Sequence, residues 1–227
     1  MAAFPFPVET IAIQRTVRLV STGRLKGAVL STLVSRDRLG DLEEIDGATN
    51  GRLMAEEVKI RVGELVASVP HAAFINAAFS YPRPGELNRF NGPGRGAWYS
   101  ALRVDTCLAE VIFHINRELE RVNRFITVME CSELFASFAG RFVDLRKESP
   151  RPKCLHPDIT IGYPAGNVLA ELTRGEGDNG IIYPSVRDKK KGMCLVALWP
   201  HAVQSVAQGG ILRLTWHGYQ IPKIVRV

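Results

Sequence analysis

The sequence predicts an α+β fold made mainly of antiparallel strands. Apolar residues alternate in "IAIQRTVRLV" at 11–20 and in "GAWYSALRV" at 96–104, the pattern of half-buried strands. They recur at helical spacing over 25–45 and again over 105–122. Further strand-like segments follow with few helices between them, unlike the regular alternation of a doubly wound parallel sheet.

In chain order, 11–20 is the first strand and carries Arg15 and Arg18. Leu25, Val29 and Leu33, then Leu39, Leu42 and Ile45, mark one or two helices with no proline to interrupt them. "DGATNG" at 46–51 is a turn. The mixed segment "VKIRVGELVASV" leads to "AAFINAAFSYP" at 72–82, expected as a strand or other buried apolar structure. After the strand at 96–104, Asp105 is expected to cap a helix. Its buried stripe would be Leu108, Val111, Ile112, Ile115, Leu119 and Val122, with Glu110, His114, Arg117 and Arg121 off the stripe. "RFITVMEC" and "RFVDL" read as two strands around a short helix at 132–138. A proline-rich loop at 148–164 precedes a helix over 166–174. An apolar strand then meets a turn at Tyr183, Pro184 and Ser185, and a basic tip at 188–192 returns into a second strand. "GILRLTWHGYQIPKIVRV" forms a closing hairpin. No repeat is evident, and one domain over 1–227 is expected, with a helical insertion at about 25–65.

The net charge of +6 and the pI near 9.3 favour an anionic partner, whether nucleic acid, an acidic protein or a phosphorylated small molecule. There is no signal-peptide pattern at the start and no long uncharged apolar run, so a cytoplasmic protein with no membrane partner is expected. Cys107, Cys131, Cys154 and Cys194 show no paired spacing and read as reduced packing residues. The five histidines show no metal-ligand spacing, so no metal is expected.

The loop Gly92-Pro93-Gly94-Arg95-Gly96 matches neither dinucleotide nor P-loop spacing and is followed by a strand, so it reads as a tight connection. Lys189 to Lys191 reads as a solvated hairpin tip. With no helix-turn-helix or stacked-aromatic module, direct nucleic-acid binding ranks well below an enzyme. Glu110 by itself suits a helix-surface pair with His114, Arg89 a loop ion pair, and Ser185 a turn cap.

Taken together, R-F-N at 89–91, W-Y-S-A at 98–101, A-E-V-x-x-H at 109–114 and G-I-I-Y-P-S-V-R at 180–187 resemble the RES-domain family. Its recurring Arg, Glu and Ser fall at Arg89, Glu110 and Ser185, with Tyr99 midway between the first two. The resemblance extends through "TVRLV", "DGATNGRL" and "CLVALWPHAV". Phe90 stands where the family commonly has tryptophan, and Asn88 where glycine is frequent.

The resemblance implies an ADP-ribosyltransferase-like fold, with split antiparallel sheets around an NAD cleft. It implies a toxin of a toxin–antitoxin pair that consumes NAD as substrate, by hydrolysis, phosphorolysis or transfer of ADP-ribose to a target protein. The implied partner is an Xre-type antitoxin. Glu110, Arg89 and Ser185 would be catalytic, and Arg18, Arg89, Asn91, Tyr99, Tyr183 and Ser185 would bind the NAD. The chemistry suits these residue types. A guanidinium offers two donors to a pyrophosphate, a carboxylate stabilises the positive charge that develops on the ribose, and Tyr99 offers a flat face to nicotinamide. The alternative from another class is a basic module that binds nucleic acid or protein without catalysis.

Overall fold

Residues 5–22, 64–67, 69–80 and 87–227 are described by the structure, a computed structural model. The helices expected over 25–45 and the turn at 46–51 lie outside the described residues, as does nearly all of the insertion expected at about 25–65.

Among the described residues the strands are β1 (Val8–Ser21), β2 (Trp98–Ala101), β3 (Ile126–Asp144), β4 (Gly180–Pro184), β5 (Met193–Ala197), β6 (Val203–His217) and β7 (Lys223–Arg226). The helices are α1 (Ala72–Ser80), α2 (Val104–Arg121) and α3 (Ile159–Gly175). Single 3₁₀ turns lie at Lys153–Leu155 and Pro200–Ala202.

This is a mixed α+β architecture with a seven-stranded sheet in the order β1-β2-β5-β4-β3-β6-β7. An additional β1–β3 pairing joins β1, β2, β5, β4 and β3 into a ring of hydrogen-bonded neighbours. All pairings are antiparallel except β3 with β4. The strands thus form one connected network, in which β3 changes neighbour along its length. This strand pairs with β6 over Ile126 to Phe138 and with β4 over Phe142 to Asp144.

Residues 124–145 depart from expectation, because the helix anticipated at 132–138 is the middle of the 19-residue strand β3. Leu134, Ala136 and Phe138 alternate into one core, and both neighbouring strands bond to this segment. A short apolar run satisfies either period locally, and the long-range pairing decides between them. The segment at 72–80, expected as a strand or other buried apolar structure, is apolar and partly buried but not a strand. It is a helix, because Ile75 and Phe79 lie one turn apart and both are buried.

In α2, Asp105 lies in the first turn, and the cap position falls to Arg103 without a side-chain bond. Asp105 still places negative charge at the positive end of the helix dipole. Leu108 is buried and Val111, Ile112, Ile115 and Leu119 pack against the same core, whereas Val122 is 67% exposed just beyond the helix end. The third helix starts earlier than expected, because the Asp158 side chain accepts a bond from the Thr160 backbone N–H at 2.9 Å. Pro164 lies inside α3 and removes one backbone donor. Thr160, whose carbonyl would have accepted that bond, is exposed, so water can serve it.

Two apolar cores flank the sheet. One contains Val17, Phe90, Leu108, Leu169, Ile181 and Trp216 and lies beneath α2 and α3. The other contains Ile75, Phe79, Trp98, Phe138, Phe142 and Val206 and lies beneath α1. The C-terminal hairpin expected from the sequence is the β6–β7 pair. Its Arg226 grips the fully buried Glu133 carboxylate with two bonds, at 2.7 and 2.8 Å.

Phe142 is fully buried at the point where β3 takes β4 as its neighbour. Phe142→Ala is expected to destabilise the fold by about 3–5 kcal/mol. A chemical-denaturation midpoint unchanged from wild type would show that this junction is not packed as described.

Candidate active site

Pairing between strands far apart in the sequence builds the cavity floor. Val17 pairs with Ala101, Ala101 with Cys194, and Cys194 with Tyr183, giving one row across β1, β2, β5 and β4. Above this row lies a cavity of about 340 Å³, walled by α2, α3 and the loop before β2. That size falls within the range of about 300–1,000 Å³ for small-molecule sites. Arg18, Arg89, Asn91, Tyr99, Glu110 and Tyr183, all expected from the sequence, line it together. Ser185 stands behind the wall and reaches the cavity through Glu110.

The loop wall is held from within. Asn88 N–H donates to the Asn91 carbonyl at 2.9 Å and closes a tight turn. The Tyr99 hydroxyl accepts from Phe90 N–H at 2.9 Å and donates to Asn91 Oδ1 at 2.8 Å. Asn91 Nδ2 in turn donates to the Arg95 carbonyl at 2.9 Å, so the glycine-rich segment is a fastened connection. Phe90 is fully buried and meets Tyr183 edge-on at 4.9 Å.

Arg89 is buried as well. Its Nη1 donates to the carbonyls of Cys154 at 2.6 Å and His156 at 3.1 Å, and its guanidinium lies 5.3 Å from the centre of the Tyr163 ring. These bonds tie the loop to the turn that leads into α3. Gly166 lets α3 approach, since a Cβ there would collide with the Arg89 carbonyl.

On the opposite wall, Glu110 lies off the apolar stripe of α2, as the sequence predicted. Its Oε1 accepts from Ser185 Oγ at 2.6 Å. Ser185 is itself buried, and its oxygen accepts from the backbone N–H groups of Arg187 at 3.1 Å and Asp188 at 2.9 Å. Two donors into the hydroxyl oxygen direct its proton at the carboxylate. Glu110 is the only carboxylate among the described residues that line the cavity.

Arg18 and Arg89 line the same cavity. Arg18 donates to the Tyr99 carbonyl at 3.4 Å and lies over the Trp98 ring at 4.9 Å. Arg187 stacks on Phe113 at 3.5 Å and donates to the Pro157 carbonyl at 2.7 Å. Burial, followed by the nearby charge of Arg89, lowers the Arg187 pKa from its ordinary value. Burial raises the phenols of Tyr99, Tyr163 and Tyr183, so all three stay neutral. The arrangement can hold an anion and can place negative charge beside a centre that becomes positive.

Tyr163 and His114 also line the cavity and were not singled out from the sequence as ligand contacts. The signal for Tyr163 was the cap Asp158-Ile159-Thr160, which puts the tyrosine on a helix rather than in a loop. Among the described residues no group of three or more histidine, cysteine or acidic side chains could hold a metal. No described helix is long and apolar enough to cross a membrane.

All four cysteines carry free, buried thiols, and Cys107, Cys131 and Cys194 face the cavity. Burial pushes Cys107 up to about 12 and Cys131 and Cys154 up to about 11. Burial and then the Glu110 charge raise Cys194 well above its ordinary value. At pH 8 the native protein should therefore react with iodoacetamide far more slowly than free cysteine, and all four thiols should react once it is denatured. Rapid alkylation of the folded protein would contradict this geometry.

None of the curated proteins matches the chain. Among solved structures, a chain of "Crystal structure of the M. tuberculosis MbcT-MbcA toxin-antitoxin complex" aligns at a TM-score of 0.40 and 15% identity, covering 56% of this chain and 72% of that one. The family model of the RES domain matches residues 65–217, a span that includes Arg89, Tyr99, Glu110 and Ser185 and leaves Arg18 outside. That span is more than half of the sequence, and the chain belongs to the RES domain family.

Proposed function

We propose that this chain is an enzyme that cleaves NAD at the bond between nicotinamide and ribose, and that it serves as the toxin of a toxin–antitoxin pair. The observation that carries the reading is the 2.6 Å hydrogen bond from Ser185 to Glu110, which holds one carboxylate in a cavity lined also by Arg18 and Arg89. Membership of the RES domain family supports it. We read the fold as ADP-ribosyltransferase-like and the chain as one domain over 1–227, carrying the insertion at about 25–65.

In this reading the arginines hold the pyrophosphate. Arg89 has one nitrogen committed to backbone carbonyls, so its fork is oriented before substrate arrives, and Arg18, which also lines the cavity, supplies a further cationic donor. Tyr99, Tyr163 and Tyr183 offer neutral aromatic surface to nicotinamide. When the C1′–N1 bond breaks, its electron pair leaves with nicotinamide and positive charge develops on the ribose. Glu110, fixed by Ser185, stabilises that charge more than it stabilises the intact substrate. Water, phosphate or a target protein's side chain then takes the ADP-ribose. The products formed with and without added phosphate distinguish these acceptors.

A cytoplasmic enzyme of this kind would deplete its own cell, which is the reason for an antitoxin. The positive cavity suits an Xre-type antitoxin that presents an acidic segment.

Glu110→Gln keeps the size of the side chain and removes the charge. Turnover should fall by a factor equivalent to about 2.7–4 kcal/mol, with NAD still bound. Expression of the wild-type chain alone should lower cellular NAD and arrest growth, and Glu110→Gln should do neither. If the folded wild-type protein accumulates without loss of NAD, the enzyme reading fails and the basic interaction module replaces it.

Arg89→Lys keeps the charge and loses the planar fork. It should weaken NAD binding strongly in a direct titration. Unchanged affinity would mean that the buried arginine only anchors the loop and that Arg18 or Arg187 grips the phosphates.

A further inference from the structure

The turn between β4 and β5 touches α2 at two levels. At one level Ser185 donates to Glu110 at 2.6 Å. At the other, Thr106 Oγ1 donates to Asp188 Oδ2 at 2.8 Å. Thr106 and Glu110 are four residues apart on α2, so they stand one above the other on the same helix face. Ser185 and Asp188 belong to the same turn and are joined directly, because the backbone N–H of Asp188 donates to Ser185 Oγ at 2.9 Å. The two contacts are rungs of one short ladder between helix and turn.

The outer rung is built as firmly as the inner one. Thr106 is fully buried. Asp188 Oδ1 accepts from Lys190 N–H at 2.8 Å, and Oδ2 also accepts from Gly192 N–H at 3.2 Å and Arg103 Nη2 at 3.4 Å. Ser185 N–H donates to the Gly192 carbonyl at 2.7 Å and closes the turn beneath the hydroxyl. Gly192 is required for the approach, since a Cβ there would collide with Thr106 Oγ1 and crowd Asp188. The basic tip Lys189–Lys191, which read as solvated charge in the sequence, thus closes a turn whose inner side is fixed to the helix.

We infer that Thr106 and Asp188 are positioning residues for the catalytic carboxylate: they set the height of the turn on α2, and so the placement of Ser185 against Glu110. The inference rests on the reading that Glu110 acts on bound NAD. Neither residue lines the cavity, so neither touches the substrate. Their loss leaves the carboxylate present but loosely held. That should lower the rate of the bond-breaking step and spare NAD affinity, because the charge still faces the cavity while its geometry relaxes.

The experiment measures kcat, KM and NAD affinity for Thr106→Val, Thr106→Ser and Glu110→Gln, and for Thr106→Val combined with Glu110→Gln. Valine keeps the shape of threonine and removes the donor, so kcat should fall by about tenfold with NAD affinity unchanged. Serine keeps the donor and should restore most of the rate. In the Glu110→Gln background Thr106→Val should have little further effect, because its influence passes through that carboxylate. If Thr106→Val does not accumulate as folded protein, Asp188→Asn supplies the same comparison.

Wild-type kcat in Thr106→Val, with Glu110→Gln inactive, overturns this inference and leaves the role of Glu110 standing. An equal loss from Thr106→Val in both backgrounds also overturns it, since the threonine would then act independently of Glu110. Near-normal turnover in Glu110→Gln removes the underlying reading and the inference with it.

Discussion

β3 is hydrogen-bonded along both edges, and the rest of the molecule is arranged around that constraint. One edge carries β1 from Val8 opposite Val143 to Ser21 opposite Cys131. The other edge carries β6 and then, past Phe138, β4. A register slip would turn Leu134, Ala136 and Phe138 away from the core beneath α1 and bring polar Ser137 into their place. Because β4 starts at the far end of β3, the β4–β5 hairpin and β2 continue around to β1. That path makes Val17, Ala101, Cys194 and Tyr183 neighbours and gives the cavity its floor.

The cavity walls are held by polar groups that bond to the protein itself. Tyr99 and Asn91 make their hydrogen bonds within the loop that they close, and Arg89 Nη1 serves two carbonyls ahead of α3. Such buried groups would each cost about 1–3 kcal/mol if left unpaired, so the network rigidifies the wall at the same time as it satisfies it. Residue types suited to ligand binding therefore also act as structural fasteners. Glu110 and Ser185 show the same economy, with one bond joining the helix to the turn and aiming the carboxylate.

Charge is distributed unevenly in this interior. Arg18, Arg89 and Glu110 line one cavity, with Arg187 nearby, its pKa lowered by burial and then by the Arg89 charge. Like charges held near one another in a partly desolvated site favour a bound anion, which relieves their repulsion. Elsewhere the buried acids are matched one by one. Glu133 has Arg226, and Asp144 has Arg146, whose guanidinium bonds hold its carboxyl below the usual carboxylate range. Among the described residues, Arg18 and Arg89 thus place positive charge where a ligand could use it.

Local pattern made much of this legible. β1, the strand carrying Tyr99, the helix carrying Glu110, the β4–β5 turn and the closing hairpin follow from periodicity and turn chemistry, and the motifs around Arg89, Tyr99, Glu110 and Ser185 resemble the RES family, to which the chain belongs. What local pattern could not decide was the state of segments whose partners lie far away. Residues 132–138 became strand because β1 and β6 flank them, and 72–80 became helix because Ile75 and Phe79 meet a core drawn from β2, β3 and β6. Which polar groups satisfy one another was likewise hidden, from the Tyr99 bond to Asn91 to the pairing of Thr106 with Asp188. The sequence by itself determined which residues could carry charge, hydrogen bonds and apolar burial, because those are properties of side chains and their spacing. Tertiary structure alone decided which of them meet, because a hydrogen bond across 82 residues exists only once the chain between its ends has folded.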